Sequence, residues 1–124
     1  MNQDTTIRHL FRKPKYPILV DVDGNLIAAK SSGSLTVRLS RLKLKKAGVY
    51  NAIDSSGEGW AFYSEHMVLT PLTMKKRWTK LEVIRLFNQR KNQTAGEKVY
   101  SEKSLSSKRF DRILADIVAL TISG

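Results

Sequence analysis

Ile18, Val20 and Val22 alternate with Leu19, Asp21 and Asp23, and the apolar run Leu26-Ile27-Ala28-Ala29 resumes after Gly24-Asn25. Asp-Gly between two β-type runs is the strongest short-range hairpin signal. Pro17 stands at the start of the first run, where a missing N–H does least harm. A second hairpin follows from residues 49–54 and 60–64, joined by Ser55-Ser56-Gly57-Glu58-Gly59, and Met67-Val68-Leu69 suggests a short strand before Pro71.

Between the hairpins, residues 35–46 read as one long strand. Leu35, Val37 and Leu39 are apolar at odd positions and Leu42 and Leu44 at even ones, with the phase slipping at Ser40-Arg41. A β-bulge at the slip keeps all five on one face. Arg38, Arg41, Lys43 and Lys45 then line the solvent side as a positive stripe.

The period changes in the last third of the chain. Thr79-x-x-Glu82 is a capping box, with Trp78 before it and Val83 at the staple position. Leu81, Ile84 and Phe87 continue the stripe, which predicts a helix over 80–91. Phe110, Ile113, Leu114, Ile117 and Val118 recur at three- and four-residue spacing and predict another over 107–121. Ser106 is its expected cap, with Leu105 and Phe110 as the staple pair. Residues 91–103 read as a polar loop holding a brief strand at Val99-Tyr100. Strands first and helices afterwards indicate an α+β fold. Its expected form is an antiparallel sheet of two hairpins plus the long bulged strand, followed by two amphipathic helices packed on one face. A flexible basic arm over 1–15 precedes a single domain over 16–124.

Composition agrees with a folded domain. Hydrophobic residues make up 41% of 124, and two Trp, four Tyr and four Phe can furnish a core. The uncharged stretches fall short of the roughly 18 residues a membrane span needs, so no membrane partner is expected. The first 15 residues lack the apolar segment of a signal peptide. There is no Cys, which excludes disulfides and thiolate metal sites and accords with a cytoplasmic setting.

Charge is the strongest departure from an average domain. Lys and Arg number 22 against 11 Asp and Glu, a formal +11. From 47 to 74 there is no Lys or Arg, only Asp54, Glu58 and Glu65, so two basic flanks enclose a cation-free middle. Arg8, Arg12, Lys13 and Lys15 are interleaved with His9, Phe11 and Tyr16. Lys75, Lys76, Arg77 and Lys80 surround Trp78. Such clusters suit phosphate contacts, with aromatics available for stacking.

Reactive chemistry is sparse by comparison. The segment 18–26, Ile-Leu-Val-Asp-Val-Asp-Gly-Asn-Leu, resembles the first motif of the haloacid-dehalogenase-type phosphatases. In that family the first Asp attacks phosphorus and the second works as acid/base beside Mg²⁺. The resemblance spans nine residues, Asn25 replaces the usual Thr, and neither the later acidic motif nor an alternating strand–helix pattern follows. Asp21 and Asp23 therefore read as hairpin residues. A calcium loop starting at Asp21 fails at Leu26 and at Ser32. His9 and His66 have no metal-ligand spacing, and no metal or cofactor is expected. The predicted helix over 107–121 mixes Lys108, Arg109 and Arg112 with Asp111 and Asp116, a poor face for a major groove.

The leading expectation is a non-enzymatic protein that binds nucleic acid or another polyanion by backbone electrostatics. Its contacts would be Arg38, Arg41, Lys43, Lys45, Lys75, Lys76, Arg77 and Lys80, with Arg12 and Lys13 from the arm. The alternative is a protein-interaction module, an adaptor or immunity-type inhibitor, that recognises an acidic protein through the same charge and aromatics such as Tyr63. A third reading is a small basic ribonuclease with His66 and Glu65 as acid/base pair. A continuous basic groove favours the first, whereas a basic rim around an apolar patch favours the second.

Overall fold

The computed structural model describes residues 6–91 and 99–123, and its first strand lies where an arm was expected. β1 (Arg8–His9) runs parallel to the strand at 68–70. Arg8 N donates to Met67 O at 2.9 Å and Leu10 N to Leu69 O at 3.0 Å. Ile7 is buried in the core, so residues 7–10 belong to the sheet edge rather than to a free arm. Residues 1–5 of that arm lie outside the described residues.

β2 (Ile18–Val22) and β3 (Asn25–Ala29) form the first hairpin, in register Val22 with Asn25. Asp23 at φ 54° and Gly24 at φ 94° supply the two positive-φ positions that a type I′ turn needs. Asp21 Oδ1 accepts from Gly24 N at 2.9 Å, which occupies the first aspartate of the phosphatase-like motif in holding the turn.

The segment after β3 is the main correction. Ser32–Ser40 form a helix, α1, and not the first part of a bulged strand. Leu35 and Leu39 are fully buried while Val37 is 48% exposed, a four-residue period where alternation would have buried all three. Ser31 and Ser34 close a capping box at its start. Leu42 and Leu44 follow in a loop and pack on the same core.

β4 (Val49–Ile53) and β5 (Gly59–Tyr63) form the second hairpin as expected, and β6 (Val68–Thr70) adds the short strand. The sheet order is β1-β6-β5-β4-β2-β3. All pairings are antiparallel except β1 with β6.

Helices cover both faces of this sheet. On one, Val20, Tyr50, Trp60 and Phe62 pack with Leu35 and Leu39 of α1. On the other, Leu19, Leu26, Ala28 and Ile53 pack with α2 (Lys80–Asn88), and after the single turn α3 (Ser104–Ser107), with α4 (Phe110–Ser123). The two amphipathic helices α2 and α4 thus share one face as expected, and the opposite face is covered by α1, which replaces the expected bulged strand. Thr79 and Glu82 form the expected capping box on α2. Ser106 does not cap α4: it lies inside α3, and an extended Lys108 separates the two helices.

Val99 and Tyr100 form no strand. Asn88 takes the partner's role instead, accepting from Tyr100 N at 2.7 Å and donating to Tyr100 O at 3.0 Å. Residues 92–98 of the expected loop lie outside the described residues. Among the described residues no helix is long and apolar enough to cross a membrane.

Candidate interaction groove

On their sheet face α2 and α4 cover β2, β3 and the Ile53 end of β4. Over the rest of β4 and over β5 and β6 the same face stays open, and alternation brings Val49, Asn51, Ala61 and Tyr63 to it, opposite Tyr50, Ala52 and Phe62 in the α1-side core. Val49 is 59% exposed and Tyr63 37%. A hollow of about 480 Å³ lies here, walled also by Leu72, Met74 and Lys76.

The far wall is a strap, residues 71–78, that turns back across the start of β5. Gly59 N donates to Lys76 O and Trp78 N to Gly57 O, both at 2.9 Å. The strap can come this close only because residue 59 is glycine: a Cβ there would stand 1.7 Å from the Lys75 carbonyl oxygen. Pinned at one end, the strap leaves Leu72 and the fully exposed Met74 facing solvent.

A second hollow of about 420 Å³ adjoins the first and shares Tyr63 and Leu72 with it. It lies over β6 and β1, between Val68 and Thr70 on one side and Arg8, Leu10 and Phe11 on the other, with His66 at its rim. Phe11 is 75% exposed and sits at φ 72°, spanned by a hydrogen bond from Arg12 N to Leu10 O at 2.9 Å. This is the strained, positive-φ hand of the γ-turn, costly for a bulky residue.

Arg12 holds that turn in place. Its guanidinium donates twice to the Glu58 carboxylate, one bond being 2.6 Å, and lies 5.0 Å from the Trp60 ring centroid. The hydrogen bonds push the Glu58 carboxyl below its ordinary range and the Arg12 guanidinium further up. Nearby, His9 Nε2 and Tyr16 Oη are 2.9 Å apart. Burial raises the phenol to about 12, while burial and then the charge of Lys13 lower His9.

The ten cations expected to contact a polyanion are dispersed. Arg38 and Arg41 close α1, and Lys43 and Lys45 follow it on the α1 side of the sheet, with Lys45 3.9 Å from Asp23. Lys75 pairs with Glu82 at 2.5 Å and stands 4.8 Å from the Trp78 ring centroid. Lys80 donates to Leu105 O and Arg77 to Ser56 O. Arg12 is engaged with Glu58, and Lys13 is exposed beside it. Of the ten, only Lys76 lines the groove, joined there by Arg8. Glu65 and His66 stand 3.9 Å apart, both more than half exposed, on the turn between β5 and β6.

Tyr63 was legible as an aromatic contact. Phe11 is legible as an aromatic among cations, whereas Leu10, Val49, Leu72 and Met74 carry no such signal, Leu72 and Met74 being apolar positions in a stretch without helical or strand period.

No family model, curated protein or solved structure matches the chain.

Proposed function

We propose that this protein is a non-enzymatic interaction module whose open sheet face recognises an acidic protein partner, in the cytoplasm. The observation that carries the reading is the pair of joined apolar hollows with Arg8, His66 and Lys76 at their edges. Exposed apolar side chains gathered in one concavity, with charge at the rim, are the anatomy of a protein interface. The cations at the rim would steer an acidic partner and set its orientation, while the apolar floor supplies the lasting contact.

A polyanion gripped through its backbone wants convergent cations. Here Arg38, Arg41, Lys43 and Lys45 lie on the α1 side of the sheet, away from Lys76. Several others already face carboxylates of their own chain.

The test is capture with the purified full chain, before and after nuclease treatment, beside Tyr63→Glu. An acidic protein that survives nuclease, is identified, and is lost from Tyr63→Glu is the expected result. Capture that vanishes with nuclease supports the polyanion reading and overturns this one. Capture indifferent to Tyr63→Glu overturns it as well.

A further inference from the structure

The two hollows lie over successive pairs of strands, and that spacing specifies the partner further. One is centred over β4 and β5, the other over β6 and β1. At about 4.8 Å per strand, their centres lie two strand spacings apart, on the order of 10 Å. Tyr63 and Leu72 form the saddle between them, since both line each hollow.

We propose, building on the interaction-module reading, that the groove accepts one acidic protein segment bearing two bulky apolar side chains about 10 Å apart. One side chain enters the hollow beside Val49 and Met74, and the other the hollow beside Leu10 and Phe11. That separation corresponds to three residues of an extended chain or about seven of a helix. Acidic residues flanking these two meet Arg8 and Lys76. Among the described residues no Asp or Glu lines either hollow.

The same charge argues against a second copy of this chain as occupant. Both copies would carry a formal +11 and would bring the same cationic rims together. Phe11 adds a further observation. Its positive φ is unfavourable for a bulky side chain, yet the Arg12–Glu58 pair fastens the turn and leaves the ring at the mouth of the second hollow. A turn whose backbone is fastened in that way loses little freedom when a partner closes on it.

The experiment is selection of a displayed library of random 16-residue peptides on the full-length protein. Tyr63→Glu serves for counter-selection, and Leu72→Asp is a second variant should the first fail to fold. The expected product is a set of peptides rich in Asp and Glu, with two apolar positions at a constant spacing. Replacing either apolar residue of a selected peptide by Ala should weaken binding about tenfold or more. Raising salt from about 50 to 300 mM should weaken it further. Peptides that depend on Tyr63 but carry one apolar position, or no acidic excess, overturn the two-site acidic segment while leaving the groove as a docking surface. Absence of any peptide sensitive to Tyr63 or Leu72 overturns both.

Discussion

Arg12 and Glu58, 46 residues apart in the chain, are joined by two hydrogen bonds across the end of the sheet. The pair ties the turn after β1 to the turn between β4 and β5. Both side chains are partly in water, Arg12 being 51% exposed, so the pair adds little to global stability. Its effect is positional, because it fixes the turn that presents Phe11.

Three paired carboxylates, Glu58 among them, make the fold sensitive to acid. Glu58 is held below its ordinary value by the bond from Arg12, Glu82 by that from Lys75, and Asp116 by bonds from Lys108, Tyr100 and Arg112 that outweigh its burial. A carboxylate with a lowered folded pKa contributes stability that is present above its unfolded value and is lost as pH falls through the folded one. Urea midpoints measured from pH 6 to pH 3 should therefore fall on the acid side, with a shallower fall in Glu58→Gln than in the wild type. Equal slopes would show that the Arg12–Glu58 pair contributes nothing to the acid dependence of stability.

Asp54 has a different standing, since it is 1% exposed. Its Oδ1 accepts from Ser56 N, Ser56 Oγ and Glu58 N at 2.9, 2.6 and 3.1 Å. Its Oδ2 accepts from Lys15 N and Trp60 Nε1 at 3.2 and 3.1 Å. Asn cannot replace it, because either orientation of the amide turns an NH₂ toward two or three donors. Asp54→Asn should destabilise by about 2–4 kcal/mol, the cost of leaving two buried donors unpaired. Equilibrium urea unfolding reads this, and a loss below about 1 kcal/mol would contradict the network.

Local chemistry made much of this fold readable. Asp23-Gly24 specified its turn, and Thr79 with Glu82 specified the start of α2, because each signal acts within four residues. The misreading of α1 was also local. Leu35, Val37 and Leu39 satisfy alternation, while Leu35 and Leu39, four apart, also satisfy a helical period without any bulge, and the simpler pattern was the correct one. The groove was not readable, because its openness depends on which strands α2 and α4 cover. Leu10 and Phe11 sat in a basic segment and Leu72 and Met74 in a strap. Only pairing of β1 with β6 and docking of Gly59 on Lys75 brings them together. Charge clustering was real in the sequence, yet the chain's own carboxylates take up much of it.

The two readings of residues 35–46 make opposite claims about Val37. In a strand it shares the buried face with Leu35 and Leu39, whereas in α1 it is 48% exposed. Val37→Lys should change stability by no more than about 0.5 kcal/mol, the usual range for a surface position. Leu39→Ala, at a fully buried site, should cost about 3 kcal/mol. Urea midpoints of the two variants decide the matter. A large loss in Val37→Lys would return the segment to the sheet.

Gly59 links stability to the groove. A methyl group at this position would meet the Lys75 carbonyl at 1.7 Å and the Lys76 carbonyl carbon at 3.2 Å. These are backbone atoms of the strap, so no side-chain rotation relieves the overlap. The strap must lift from β5, breaking the bond from Gly59 N to Lys76 O and carrying Leu72 and Met74 away from Tyr63. Gly59→Ala should thus cost about 3 kcal/mol or more and also abolish peptide binding in the hollow beside Val49. Gly33→Ala is the matched control, since beyond its chain neighbours the new Cβ meets no side chain closer than Ser31 Oγ at 4.0 Å, at the start of α1. There the lower backbone entropy of alanine should leave stability unchanged or raise it by about 0.5 kcal/mol. Thermal unfolding and peptide titration of both variants separate a collapsed strap from a general loss of fold. Gly59→Ala with wild-type stability and binding would mean that the strap does not lie against β5.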